Sequence, residues 1–414
     1  MSIANITMVA EERPAWRKLV TPALTRARPV HRWYLYPHSF DSDLVKDVLA
    51  QMGIRPGHRV WDPFVGAGTT VLACRDLGIE AFGSDLLPLS IVVSQAKLSS
   101  YSHAALSWAA QKFDYRIQPG SVDRFAQIPI VTRSISARIR VRVSSLLDQI
   151  LRLPSDVRPF FMIALLGILE DLSYTIKSGG WLRLDMTKDI REAAVRELFE
   201  TRVQAMLEDV PSDPRYCHPD CSERVWLADA RTERFETPVD AIVTSPPYPN
   251  RHDYTRIFAL ELALLQVADA EELKQLRYRS LRSHVEARDP DLPMDQYCEP
   301  QRLQDCLERV AAINTRDRRV HRMLRGYFQD MYHVLHSVHE NLARGGKAAF
   351  VLGDVRFAGV IIPVNDLVGE IGAAVGLRPL KLVVARRRGN SAQQMRVYGR
   401  QEARESVIFF ERAN

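Results

Sequence analysis

The stretch HRVWDPFVGAGTTVLACRDLGIEAFGSDLLPLSI, residues 58–91, decides the fold. An apolar run ends in Asp62, a glycine turn follows at Gly66 and Gly68, and a helical segment leads to a second apolar run ending in Asp85. Strand, glycine turn, helix and strand make a βαβ unit, whose two strands lie parallel in one sheet. Glycines at the strand-to-helix turn let the backbone reverse tightly and a ligand come close. The turn lacks the lysine of a phosphate-binding loop and the third glycine of the dinucleotide fingerprint. Alone it reads equally as a plain structural turn. Asp85 lies 17 residues beyond Gly68. An acid at that strand end is placed to accept both hydroxyl hydrogens of a ribose; capping the segment LLPLS is the alternative. Together the turn and the acid imply an adenosine-containing ligand.

Working outward, DSDLVKDVLAQMG (41–53) has an acidic start, helical apolar spacing and a terminal glycine, the pattern of a capped helix. Residues 1–30, with Pro14, Pro22 and Pro29, read as an irregular arm. Residues 101–224 break the α/β rhythm: 135–153, 157–176 and 189–210 all read as mostly helical, so this region is a helical insertion. The rhythm returns with the strands VWLADA (225–230) and VDAIVTSPPY (239–248). A charge-rich helical stretch spans about 254–343, GGKAAFVLGDV (345–355) is a glycine turn and a buried strand, and PLKLVVARRR (379–388) and ESVIFFER (405–412) are strands joined by a polar loop. The expected fold class is α/β: a doubly wound, mostly parallel sheet closing in an antiparallel hairpin and interrupted by helices.

TSPPYPN (244–250) follows an apolar strand. Two consecutive prolines lock the backbone, remove two N–H donors and leave carbonyls aimed outward. That suits an amine substrate. Ser245 and the carbonyl of Pro246 can accept the two hydrogens of an exocyclic NH2, and Tyr248 can stack on a flipped base. An aromatic amine is a poor nucleophile because its lone pair is delocalised. Accepting its hydrogens favours the tetrahedral geometry that frees that pair, so positioning and electrostatics suffice and no covalent enzyme intermediate is needed. A proline-rich turn with a surface tyrosine is the plainer reading, less favoured downstream of a glycine turn and a ribose acid.

DPFVGAGTT, SDLLP and TSPPY resemble the cofactor and catalytic motifs of the amino-methylating DNA methyltransferases. The serine form of the catalytic motif is typical of the cytosine-N4 branch, whereas adenine-N6 enzymes more often carry Asp or Asn where Ser245 stands. The longer runs at 244–265 and 386–410 also resemble one bacterial cytosine-N4 subgroup. The resemblance covers about 31–100 and 225–412, and YTIKSGGWLR (174–183) in the insertion. It implies a Rossmann-like sheet that binds S-adenosylmethionine and acts on duplex DNA, with a companion restriction endonuclease as a further partner. Asp62, Gly66 and Gly68 would line the methionine end of the cofactor, together with Pro63, Phe64 and Thr69 of the same loop. Asp85 would hold the ribose, Asp229 the adenine amine, and Phe40 with His38 would form an N-terminal cofactor motif. Ser245, Pro246, Pro247 and Tyr248 would be the catalytic loop. The catalytic domain would be split, with cofactor binding in 1–100, an insertion at 101–224 that is a candidate for target recognition, and the catalytic loop and last strands in 225–414. The long segment between Asp85 and Asp229 departs from the compact family pattern. Adenine-N6 methylation, RNA base methylation and a catalytically silent nucleic-acid-binding module stay open as alternatives.

The remaining features set bounds. The 414 residues are 46% hydrophobic and 26% charged, ordinary for a globular chain, and a core of that size needs no disulfide or metal. A net charge of +6 fits a nucleic-acid partner. Five scattered cysteines, no signal-peptide pattern and no apolar run of about 18 residues point to the cytoplasm and away from a membrane. Methylation of the cytosine ring carbon needs a cysteine nucleophile, normally after proline in that family, and the chain has no Pro-Cys dipeptide. Cys217, His218 and Cys221 have loosely metal-like spacing but no second ligand pair, so no metal site is expected. Basic clusters at Arg138, Arg140 and Arg142, at 316–325 and at Arg386 to Arg388 are candidate phosphate contacts, the last most of all; Tyr398 and Lys177 are weaker candidates.

Overall fold

The structure is a computed structural model that describes residues 8–413 except 117, 179–180, 214–217, 266–268, 314–317, 390–394 and 397–398. Its strands in chain order are β1 (Ala10–Glu12), β2 (Arg59–Asp62), β3 (Glu80–Asp85), β4 (Thr175–Ser178), β5 (Trp181–Leu184), β6 (Val225–Leu227), β7 (Val239–Thr244), β8 (Leu342–Gly353), β9 (Val355–Phe357), β10 (Val360–Ile362), β11 (Leu377–Gly389) and β12 (Glu402–Arg412). Eight of them form one sheet in the order β1-β11-β12-β8-β7-β2-β3-β6. Only β12 runs against its neighbours; every other pairing in that sheet is parallel. This is the doubly wound sheet with a reversed final hairpin that the strand pattern predicts.

Period-two alternation decides which side chain goes to which face. Val60, Ala241, Val243, Ala349 and Val351 share a core with the helix Ser42–Met52 and the helix Thr69–Asp76. Their chain neighbours Trp61, Ile242, Ala348 and Phe350 point to the other face, against the helices Gln301–Ile313, Arg318–Asn341 and Val364–Ala374. Both faces are covered, so the middle strands read as nearly continuous apolar runs. The helix Ser42–Met52 has the expected caps: the Asp41 carboxylate accepts from the amide of Asp43 at 3.0 Å, and Gly53 closes it at φ 76°.

From β2 the chain winds outward through β3 to β6, then returns to β7 on the other side of β2 and continues to β8. The order therefore reverses between β2 and β7. In open α/β sheets the crevice beyond the carboxyl ends of the strands at such a switch point is the ligand site.

The insertion is helical at His103–Lys112, Pro129–Ser134, Ala137–Arg152, Arg158–Leu166 and Ala194–Leu207, and these helices share one core with the segment Ala259–Leu264. Three expectations need correction. Residues 157–176, expected to be mostly helical, form a helix only over Arg158–Leu166, and β4 starts at Thr175 and pairs antiparallel with β5. The apolar run ending at Leu172 merges in sequence with that of the hairpin, which hides the change of period. The N-terminal arm is not wholly irregular, since β1 adds to the sheet edge beside β11. Its Glu11 and Glu12 are exposed and carry no apolar alternation to read. Gly345 and Gly346 lie within β8, not in a turn before it, where the register against β7 shifts. Among the described residues no helix is long and apolar enough to cross a membrane.

Candidate active site

An open cleft of about 1110 Å³ sits at the switch point. Of the residues singled out from the sequence, His38, Phe40, Asp62, Pro63, Phe64, Gly66, Thr69, Asp85, Asp229, Ser245 and Pro247 line it. Gly68, Pro246 and Tyr248 do not. Gly68 sits behind the wall at φ 80°, and a Cβ there would stand 3.0 Å from the hydroxyl of Ser94. It shapes the turn into the helix Thr69–Asp76 and leaves ligand approach to Gly66. At Gly66 (φ 49°) a Cβ would meet nothing closer than 3.8 Å, so the turn is open on the cleft side.

Three carboxylates mark the ends of three neighbouring strands. Asp62 ends β2 and is buried. Its Oδ1 accepts from the Thr244 hydroxyl at the end of β7 at 2.6 Å and from the amide of Phe64 at 3.1 Å. One acid thus ties together the two strands that flank the switch point. Burial pushes its carboxyl up to about 6, against hydrogen bonds from Thr244 and Thr70 that oppose the rise. Asp85 ends β3 and holds the glycine turn: Oδ2 accepts from the amide of Gly66 at 3.0 Å and Oδ1 from the amide of Leu87 at 2.9 Å. Burial raises its carboxyl too. The helix Pro88–Leu98 starts after Leu87, so Asp85 is not its N-cap. The Ser90 hydroxyl also bonds this carboxylate and lines the same cleft, so a ribose hydroxyl would reach Asp85 where Ser90 now stands. Asp229, just beyond β6, is gripped by Arg231 through Nε and Nη2 at 2.9 and 2.6 Å.

The loop after β7 carries Ser245 to Tyr248. The Ser245 hydroxyl donates to the carbonyl of Val351 on β8 at 3.0 Å. With its one hydrogen committed there, the oxygen can only accept from a second partner, and the Tyr248 hydroxyl is near enough to compete for that place. Pro246 is buried. Tyr248 is half-buried, and its ring lies where a Cβ on Gly353 would be, 2.9 Å from Cε2. Burial raises the Tyr248 hydroxyl well above the usual phenol range. Two backbone positions beside the loop are strained: His38 at φ 67° and Arg251 at φ 71°, both in the left-handed region that non-glycine residues rarely occupy. The rings of His38 and His252 stand 4.7 Å apart, and burial, with His38 and Arg388 nearby, pushes the His252 imidazole down to about 4.

The cleft also takes in Tyr36, Leu86, Leu87, Ser90, Tyr254 and His284. Tyr36 and Ser90 meet at 3.0 Å between their hydroxyl oxygens. Leu86 and Leu87 follow directly on Asp85 and were open to inference. His284 comes from the charge-rich stretch, where nothing local marks it.

The candidate phosphate contacts fare differently. The run holding Arg138, Arg140 and Arg142 lies in the helix Ala137–Arg152, as its spacing predicts, and Arg140 is spent on Asp123 at 2.7 Å. Lys177 is an internal support: its side chain is 10% exposed and its Nζ stands 2.5 Å from the buried Glu261. Arg386 pairs with Glu405 and Arg387 with Glu12, while Arg388 is half exposed at its side chain. Tyr398, Cys217 and residue 316 lie outside the described residues. Among the described residues no group of three or more His, Cys, Asp or Glu side chains is placed to hold a metal ion.

No protein-family model matches the chain. Among solved structures, the rRNA methyltransferase aviRa from Streptomyces viridochromogenes aligns over 90-odd percent of this chain, 91%, and 87% of its own, at 12% identity and a TM-score of 0.30. Sequence relatives are more informative. The chain is 29% identical over 429 residues to the type II methyltransferase M.AvaI of Nostoc sp., covering 94% of this chain and 88% of that one. Over 98% of its length, and 90% of the relative's, it is likewise 29% identical to the type II methyltransferase M.BsoBI of Geobacillus stearothermophilus.

Proposed function

We propose that this chain is a site-specific DNA methyltransferase that transfers a methyl group from S-adenosylmethionine to the N4 amine of cytosine in duplex DNA. The observation that carries the reading is the Ser245 hydroxyl: it donates to Val351 and can only accept at the mouth of a cleft walled by three strand-end carboxylates. The full-length similarity to two type II methyltransferases supports it.

The residues fit the cofactor. Asp85 accepts from the ribose hydroxyls and Asp229 from the adenine amine. Asp62 sits nearest the catalytic loop, its charge facing the cationic methionine end. When bound, S-adenosylmethionine supplies an electrophilic methyl group on a sulfonium. Ser245 Oγ and the Pro246 carbonyl accept the two N4 hydrogens of the flipped cytosine, Tyr248 stacks on its ring, and the rigid prolines hold both acceptors at fixed spacing. Residues 1–100 and 225–414 make up the catalytic domain, and 101–224 contribute to target recognition. The type II reading brings with it a companion endonuclease that cuts the same DNA sequence, and a cytoplasmic setting where that DNA lies.

The test is labelled-methyl transfer to duplex DNA by the purified chain, set against Ser245→Ala. We expect the variant to bind the cofactor normally and to lose roughly tenfold or more in rate, about 1.4 kcal/mol per tenfold. Equal rates for the two proteins refute the assignment of Ser245.

A further inference from the structure

Behind the cleft runs a buried row of alternating charges. The side chain of Asp229, 30% exposed, faces the cleft, and that of Arg231, which grips it, is 2% exposed. Arg231 Nη1 stands 3.4 Å from Oδ1 of Asp330, a fully buried residue of the helix Arg318–Asn341. Asp330 in turn accepts from the backbone amide of Arg282 at 2.7 Å and from its Nε and Nη2 at 3.1 and 2.8 Å. Leu281, Ser283 and His284 around Arg282 line the cleft. The Ser283 carbonyl accepts from the amide of Arg251 at 3.0 Å, three residues past Tyr248. Gly326 on the same helix makes room: a Cβ there would stand 2.6 Å from Cδ of Arg282.

We propose that Asp330 is a positioning residue for recognition of the cofactor's adenine. This rests on the reading of Asp229 as acceptor of the adenine amine. A lone carboxylate on a loop rotates freely, whereas one held in a guanidinium fork presents its remaining lone pairs in one direction. The fork must itself be held: Arg231 Nη2 donates to the carbonyl of Arg279 at 2.6 Å, and Asp330, which does not line the cleft, supplies the opposite charge to Nη1. The same carboxylate fixes Arg282 and with it the segment 281–284. Without its charge, Arg231 and Arg282 become two buried cations with one acceptor fewer between them, and Arg231 shifts away from the orientation that aims Asp229. Asp330 is too deeply buried to touch a ligand, so its effect passes wholly through Arg231 and Arg282.

The experiment compares binding of S-adenosylhomocysteine with that of its counterpart lacking the 6-amino group, by calorimetry, to the full-length chain. The wild-type protein should favour the amine by roughly tenfold or more, the scale of a hydrogen bond to a charged acceptor. Asp229→Ala and Asp330→Asn should both bring that ratio close to one. A merely structural role would weaken both ligands equally and leave the ratio unchanged, which overturns the proposal. Should Asp330→Asn fail to fold, Arg231→Lys keeps the charge but loses the fork, and an undiminished ratio in that variant overturns it equally. A wild-type protein that binds both ligands without preference refutes the role of Asp229 and this proposal with it. One that binds neither ligand removes the proposed cofactor itself.

Discussion

Replacing Asp62 with Asn should stabilise the protein and impair it together. Asp62 is 1% exposed, and burial lifts its carboxyl from 3.8 to about 6. A raised carboxyl means that the folded state takes up the proton more readily than the unfolded chain. The contribution to stability is therefore largest below the unfolded value and is lost as the pH rises through about 6. A rise of roughly two pH units, at about 1.4 kcal/mol each, makes the loss ~3 kcal/mol by neutral pH. Asparagine keeps an oxygen for the Thr244 hydroxyl and the Phe64 amide but has no charge to bury. Denaturant unfolding of both proteins without cofactor, at pH 4.5 and pH 7.5, isolates this residue, since all other titrations cancel in the difference. We expect an Asp62→Asn advantage that grows from ~1 kcal/mol at the lower pH to ~3 kcal/mol at the higher, with weaker cofactor binding. Parallel pH dependence in the two proteins, or a variant less stable at pH 7.5, refutes the reasoning.

Other perturbations separate parts of the site. Gly353→Ala places a methyl group 2.9 Å from the Tyr248 ring, so the ring must move. Methyl transfer should fall by ~10- to 100-fold while calorimetry shows unchanged cofactor affinity. Gly68→Ala forces an alanine to φ 80° and against Ser94, which should lower stability by about 1–3 kcal/mol in denaturant titration. Lys177→Met leaves Glu261 buried opposite no cation and should cost about 3–5 kcal/mol. Adding Glu261→Gln should recover most of that loss, and failure to recover it means that the pair is not what holds the β4–β5 hairpin.

What could be read from the sequence divides by the range of the interaction responsible. The main sheet shows in local alternation and in glycine turns, so β2, β3, β6, β7, β8, β11 and β12 and the carboxylates at the strand ends could be inferred from short windows, whereas the short hairpins β4–β5 and β9–β10 could not. The same holds for the TSPPY loop, since its chemistry lies in consecutive residues. Long-range pairings left no such trace. Asp330 and Arg282 sit in a charge-rich stretch where any acid or arginine reads as solvated, and only the fold brings them to Arg231. Arg140 and Lys177 show the opposite failure: as isolated cations they suggest phosphate contacts, yet each is used internally by an acid 17 or 84 residues away. The strand β1 escaped because an exposed edge strand needs no apolar face.

The most direct test of the central claim is nucleoside mass spectrometry on digested DNA from a methylation-deficient bacterial host that expresses this chain. N4-methylcytosine, absent from hosts expressing Asp85→Ala or Tyr248→Ala, is the predicted result. N6-methyladenine in its place contradicts the weight put on Ser245 while keeping the cleft. The absence of both bases, from soluble protein that still binds S-adenosylmethionine, contradicts DNA as the substrate.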